Sequence, residues 1–149
     1  MATTYLLLEK AERIELLAEQ LYLTLAARFD GEAKALFSRL AAEEAQHAAR
    51  IRLLAARYRQ DSRLVGALTL DTPRLDRLLR EAEEALAGAR QGAWDGDPAA
   101  ALDGAAELER RLCGAHAQAL PKEAHPDLRA FFEQLAAQDR AHLDLLGAT

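Results

Sequence analysis

The sequence predicts an all-α protein, a four-helix bundle made of two related helical hairpins with a long helical crossover between helices 2 and 3. Three observations lead there. Half of the 149 residues are hydrophobic, but much of that is alanine and leucine and β-branched residues are scarce, which favours helix over strand. Apolar residues recur at helical spacing in long stretches bounded by turn-forming residues. The chain also repeats itself.

The first helix is expected over about 6–29, ending at the turn dipeptide Asp30-Gly31, and the second over about 32–59. A loop containing Asp61, Ser62 and Gly66 follows. Thr72-Pro73 then reads as a helix N-cap with proline at the first helical position. The charged helix it opens, about 73–91, is expected to be partly exposed and ends at Gly92-Ala93-Trp94-Asp95-Gly96. Asp97-Pro98 starts a helix over about 98–120, closed by Leu120-Pro121. His125-Pro126 starts the last, about 126–146, which stops at Gly147. The whole, 1–149, is expected to be a single domain.

The repeat sets the architecture. The segment 8–15 aligns with 102–109 at an offset of 94 positions, and 35–47 aligns with 130–142 at an offset of 95. Two such matches at nearly one offset are hard to produce by alanine-rich composition alone. Ordinary short links make neighbouring helices antiparallel. Placing the second hairpin's first helix parallel to the helix before it instead requires a connection as long as the bundle. The 73–91 helix, at about 1.5 Å per residue, spans roughly 27 Å, about what that crossing needs.

Bulk properties narrow the function. A net charge of −5, with no basic patch, argues against nucleic-acid binding. No apolar run reaches membrane-spanning length. Met1-Ala2-Thr3-Thr4 holds no basic leader and residues 6–8 are too short for a signal core, so a soluble cytoplasmic protein is expected. The single cysteine, Cys113, excludes an internal disulfide framework and a cysteine-rich zinc or rubredoxin-type centre.

The chemistry lies on the buried faces. Glu44 and His47, three apart, share a helix face and continue the apolar line Phe37, Leu40, Ile51, Leu54. Asp139 and His142 repeat this on the line Phe132, Leu135, Leu146. Glu15 lies on the line Ala11, Ala18, Tyr22, Leu25, and Glu109 on Ala105, Leu112, His116. Four carboxylates and two imidazoles thus point into one core. Buried unpaired carboxylates cost several kcal/mol each. No inward lysine or arginine matches them, so a pair of divalent cations is the simplest compensation. One Glu-x-x-His alone is a weak signal; two equivalent ones on buried faces, with Glu15 and Glu109 matched, form a much stronger one.

This pattern, Glu15, Glu44-x-x-His47, Glu109 and Asp139-x-x-His142, resembles the ferritin/rubrerythrin superfamily of di-iron carboxylate proteins over nearly the whole chain. The resemblance implies that Glu15 and Glu109 are terminal ligands, that Glu44 and Asp139 bridge two metals, and that His47 and His142 each complete one metal's shell. It also places Tyr22, seven residues beyond Glu15, near the metals. Two positions depart from the family. Asp139 stands where glutamate is usual, and His116 occupies the repeat position equivalent to Tyr22, as an outer hydrogen-bond donor or an extra ligand. The further glutamate that rubrerythrins carry one turn beyond the third-helix ligand falls at Leu112 and is absent, so the set looks closer to a six-ligand, bacterioferritin-like pattern.

The resemblance implies two iron ions, with manganese as the alternative, and an oxidoreductase that oxidises Fe(II) or reduces O₂ or hydrogen peroxide. The alternatives are iron storage, a di-manganese catalase-like protein, and a metal-free helical scaffold. A homo-oligomer, most simply a dimer, is expected. Among the remaining residues, Cys113 reads as a small core residue, Trp94 as packing the crossover against the bundle, and His125 as a helix-start residue. Arg74, Arg77, Arg80 and residues 81–84 read as a solvated face, with Leu75, Leu78 and Leu79 as a possible oligomer contact.

Overall fold

The computed structural model describes residues 4–60, 72–118 and 126–147. They form five helices, α1 (Thr4–Arg28), α2 (Gly31–Gln60), α3 (Thr72–Arg90), α4 (Pro98–Gln118) and α5 (Pro126–Leu145), with no strand among the described residues. This is the all-α, ferritin-like bundle expected from composition and periodicity. No helix among the described residues is long and apolar enough to cross a membrane. The expected loop at 61–66, the Leu120-Pro121 helix end and His125 lie outside the described residues.

Side-chain pairings give the helix directions. Glu12 meets Arg52 and Lys34 meets the Ala26 carbonyl, so α1 and α2 are antiparallel. Tyr22 meets Glu109 and Glu15 meets His116, so α1 and α4 are antiparallel too. It follows that α2 and α4 run parallel. The chain gets from the end of one to the start of the other along α3, which runs parallel to α1, because Lys10 meets Asp76, Arg13 meets Glu83 and Arg28 meets the Arg90 carbonyl. The full-length crossover is therefore real.

α3 does more than cross. It packs against α1 and α4, and Leu75, Leu78, Ala82, Leu86 and Ala89 on its inner face are buried in the common core. This corrects the expectation that Leu75, Leu78 and Leu79 serve an oligomer contact. The first two are buried within the chain itself, and Leu79 packs at the edge of the same core. The charged residues of α3 do face outward, where Glu81 pairs with Arg111 of α4 at 2.7 Å.

The turn between α3 and α4 fixes where α4 begins. Gly92 adopts φ +83°, a left-handed conformation suited to glycine. Asp97 caps α4, its Oδ1 accepting from the Ala100 amide at 3.0 Å. Arg28, at the end of α1, holds the turn by donating to Asp95 Oδ2 and to the Arg90 carbonyl, both at 2.7 Å. Trp94 lies on α4 at Gly104, where an added Cβ would stand 2.5 Å from the indole ring. Only glycine permits this approach. Gly104→Ala is expected to destabilise the protein by about 1–3 kcal/mol through overpacking and to shift the fluorescence of Trp94, the chain's single tryptophan. Urea denaturation followed by fluorescence measures both; unchanged stability would mean that the ring moves aside freely.

Candidate metal centre

Each of the four bundle helices sends two polar side chains into the core: Glu15 and Tyr22 from α1, Glu44 and His47 from α2, Glu109 and His116 from α4, Asp139 and His142 from α5. All eight are buried, and the four carboxylates have no exposed surface. The helical spacing explains this. Seven residues are about two turns, so Glu15 and Tyr22, or Glu109 and His116, stack along one face. Three residues are slightly less than one turn, so Glu44 and His47, or Asp139 and His142, sit side by side.

The six residues expected to be metal ligands come together in two groups. Glu44, Glu109, Asp139 and His142 can each offer one ligand atom within 4.8 Å of the others, and so can Glu15, Glu44 and His47. Glu44 belongs to both. His142 Nδ1 lies 3.0 Å from Glu44 Oε1, and His47 Nδ1 lies 3.4 Å from Glu44 Oε2. The imidazoles stack with ring centroids 5.4 Å apart.

Tyr22 and His116 tie the two hairpins crosswise. Tyr22 Oη donates to Glu109 Oε1 at 2.5 Å. His116, its repeat equivalent, places Nε2 3.2 Å from Glu15 Oε1, and its Nδ1 bonds Asp139 Oδ2 at 2.5 Å. Leu112, where an additional glutamate was considered, is buried and apolar. Cys113 is half-buried, with Sγ 3.6 Å from the Ala136 carbonyl oxygen.

Glu43 was not singled out from the sequence, yet its Oε2 lies 2.9 Å from His142 Nε2. The available signal was its place one residue before Glu44, which turns it toward α5. The repeat gives no help, because its equivalent is Gln138. A cavity of about 390 Å³ opens here between α2 and α5, lined in part by Glu43, Gln46, His47, Gln138 and His142. The two imidazoles are thus reached from one face.

The cluster fits metal ions by the chemistry of what it leaves unsatisfied. Both oxygens of Glu15, both of Glu44, Glu109 Oε2, Asp139 Oδ1 and His47 Nδ1 are buried and make no hydrogen bond among the described residues. Native interiors seldom leave such groups unpaired. A donor set of carboxylate oxygens and imidazole nitrogens suits iron or manganese.

Protonation follows from the crowding. Burial, reinforced by the charges of Glu15 and Glu109, pushes the Glu44 carboxyl well above the usual carboxylate range. Burial opposes ionisation of Glu15 too, but Glu44, His116 and His47 hold its carboxyl well below that range. Burial raises Asp139 to about 6 against the opposing pull of His116. His116 is raised well above the ordinary imidazole value, because Asp139 and Glu15 overcome the burial that disfavours its charge. Burial and the charge of Glu109 push the Tyr22 phenol upward, so it remains a donor.

A family model described as rubrerythrin matches residues 7–149. The chain belongs to the rubrerythrin family. No curated protein and no solved structure matches it. Membership agrees with the two Glu/Asp-x-x-His motifs.

In the metal-free protein burial favours the protonated form of Glu44, so loading divalent cations at pH 7 is expected to release protons. Calorimetry in buffers of different ionisation enthalpy is expected to show at least one proton released, and none would contradict this account of Glu44. Below pH 6 Asp139 also holds a proton, and affinity should fall about tenfold per pH unit for each proton displaced. Without metal the sign for Asp139 is opposite: with its value raised from 3.8 to about 6, the stability its proton contributes is lost as pH rises through about 6.

Proposed function

We propose that this protein is a di-iron carboxylate oxidoreductase that uses Fe(II) to reduce O₂ or hydrogen peroxide. The observation that carries the reading is the pair of buried ligand groups sharing Glu44, with unpartnered oxygens facing inward from all four bundle helices. Glu15, Glu44 and His47 would hold one iron, and Glu44, Glu109, Asp139 and His142 the other. Two Fe(II) ions supply two electrons, which with two protons reduce one hydrogen peroxide to two waters.

The protein's own groups have separable roles. Glu44 would link the two positions and carry first-hairpin charge to the ion on the second hairpin. Glu15 and Glu109, on facing helices, would each add a charge to the ion held by their own hairpin. His142 directs Nδ1 to the centre, and the Glu43 carboxylate stands 2.9 Å from its Nε2 without an aligned hydrogen bond, on the side where outer partners orient metal-binding imidazoles. Tyr22 holds Glu109 and keeps its phenolic proton beside the reacting ions. The cavity at Glu43 and Gln138 gives a small oxidant a path to the histidine edges. Phe37, Leu40, Ile51, Phe132 and Leu135 on the same helices are buried in the apolar core, which shields the centre from bulk water away from the cavity.

Protein purified without chelator and supplied with Fe(II) is expected to bind two irons per chain; less than about half an equivalent would sink the metal reading. Consumption of O₂ and of hydrogen peroxide by the loaded protein then tests the reaction, and inertness toward both would leave a metal-binding bundle without this activity. Glu44→Ala and His142→Ala should each abolish stoichiometric binding, whereas retention in both would mean that the ligands are wrongly assigned. Tyr22→Phe should keep the stoichiometry and weaken affinity about 10–100-fold, as loss of an outer hydrogen-bond partner does.

A further inference from the structure

The centre is built from two equivalent halves, but its oxygens are not equivalently free. On the first hairpin, the four oxygens of Glu15 and Glu44 make no well-aligned hydrogen bond, although His116 Nε2 stands 3.2 Å from Glu15 Oε1 and His142 Nδ1 3.0 Å from Glu44 Oε1. On the second, Glu109 keeps only Oε2 free, since Oε1 accepts from Tyr22, and Asp139 keeps only Oδ1, since Oδ2 is bonded to His116. Glu44 and Asp139 hold the same place in the repeat, yet Glu44 belongs to both ligand groups and Asp139 to one.

The cause is the exchange of tyrosine for histidine at the other repeat position. A tyrosine has one polar atom, and Tyr22 spends it on Glu109, leaving Glu44 untouched. A histidine has two ring nitrogens. His116 directs Nε2 to Glu15, the counterpart of Glu109, and has Nδ1 left over for Asp139. The ring is buried and packs against Phe132 with centroids 6.5 Å apart, so it has little freedom to turn away. The shorter arm of aspartate adds to this, because one methylene fewer lets the carboxylate span less of the distance between two ions.

We propose that the two cation positions are unequal, and that His116 makes them so by tying one oxygen of Asp139 and confining that carboxylate to a single cation. This rests on the di-metal reading above. The position at Glu44, Glu109, Asp139 and His142 receives three carboxylates, while the one at Glu15, Glu44 and His47 receives two. For hard divalent ions, affinity follows the number of charged ligands and the rigidity of the site. Glu109 and Asp139 are also held in place by Tyr22 and His116. The first position therefore fills first, and Glu44 is the only carboxylate bridge.

Titrating the metal-free full chain with Mn(II), followed by calorimetry and electron paramagnetic resonance, tests this without reference to activity. The first equivalent is expected to give the spectrum of an isolated Mn(II). The second, at least about tenfold weaker, should bring the broadened signal of a coupled pair. Asp139→Asn, nearly isosteric, should weaken the first step at least about tenfold and leave the second within about threefold. The double variant H116Y/D139E copies Tyr22 and Glu44 into the second hairpin and should merge the two steps, with coupling from the first additions. Equal affinities or immediate coupling in the wild type would overturn the inequality while leaving the di-metal reading intact. Two unequal steps in the double variant would overturn the role of His116. No Mn(II) bound by the wild type would overturn both readings.

Discussion

Four carboxyl groups share the buried centre of this bundle, and there they cannot all be charged without positive charge beside them. Charges at such distances repel strongly when little water screens them. Among the described residues no lysine or arginine is buried in the cluster to offset them. The polar neighbours that do enter, Tyr22, His47, His116 and His142, supply hydrogen bonds and at most a few protons. The sequence has therefore committed its core to an arrangement that a purely apolar filling would have avoided, which is why the cluster speaks for function rather than stability.

The fold follows from bringing those groups to one level. Glu-x-x-His motifs on α2 and α5 and the single glutamates on α1 and α4 meet only if α2 and α4 run the same way, and α3 makes that possible by crossing the length of the bundle. Its alanines let it lie close along α1, while Trp94 on Gly104 and Arg28 on the turn fix the height at which α4 starts. An error of one residue there would rotate Glu109 by about 100° around its helix and out of the centre. The packing at Gly104 thus contributes to the geometry of a site about one and a half turns away. Between the hairpins, Tyr22–Glu109, His116–Glu15 and His142–Glu44 contacts cross the interface, so the candidate centre also joins the two halves.

Much of this was legible in the sequence, for a definite reason. Helical periodicity is strict enough that a carboxylate on an apolar line has to be buried, and the repeat at nearly one offset showed which acids correspond. Glu15, Glu44, His47, Glu109, Asp139 and His142 are all found together in the core. What was not legible depends on side-chain reach and on helix neighbours. The outward reading of Leu75 and Leu78 failed because α3's charge pattern suggested an exposed helix, whereas its leucines complete a core that α1 and α4 leave open. Glu43 escaped notice because its role comes from α5, a partner 99 positions away in sequence at His142. The contact between His116 and Asp139 is of the same kind, since spacing along α4 cannot say which carboxylate of α5 a second ring nitrogen will find.

The asymmetry between the halves has a further consequence for how one core is neutralised in two ways. Without metal, protons serve: burial favours the protonated form of Glu44, and the Asp139 and Glu15 carboxylates favour that of His116. Under the proposed reading, divalent ions would take up the same oxygens in place of protons. The oxygens left unpartnered in the core are the ones such ions would engage. His116 belongs to both states. It stands between the Asp139 and Glu15 carboxylates, and under the proposal it would brace Asp139 once cations bind. A tyrosine there, with one polar atom and no positive form, serves neither purpose as well. The replacement of a tyrosine by a histidine in one half of an otherwise repeated core is thus best understood as dividing the labour between halves: one side stays free to share its oxygens, and the other is held.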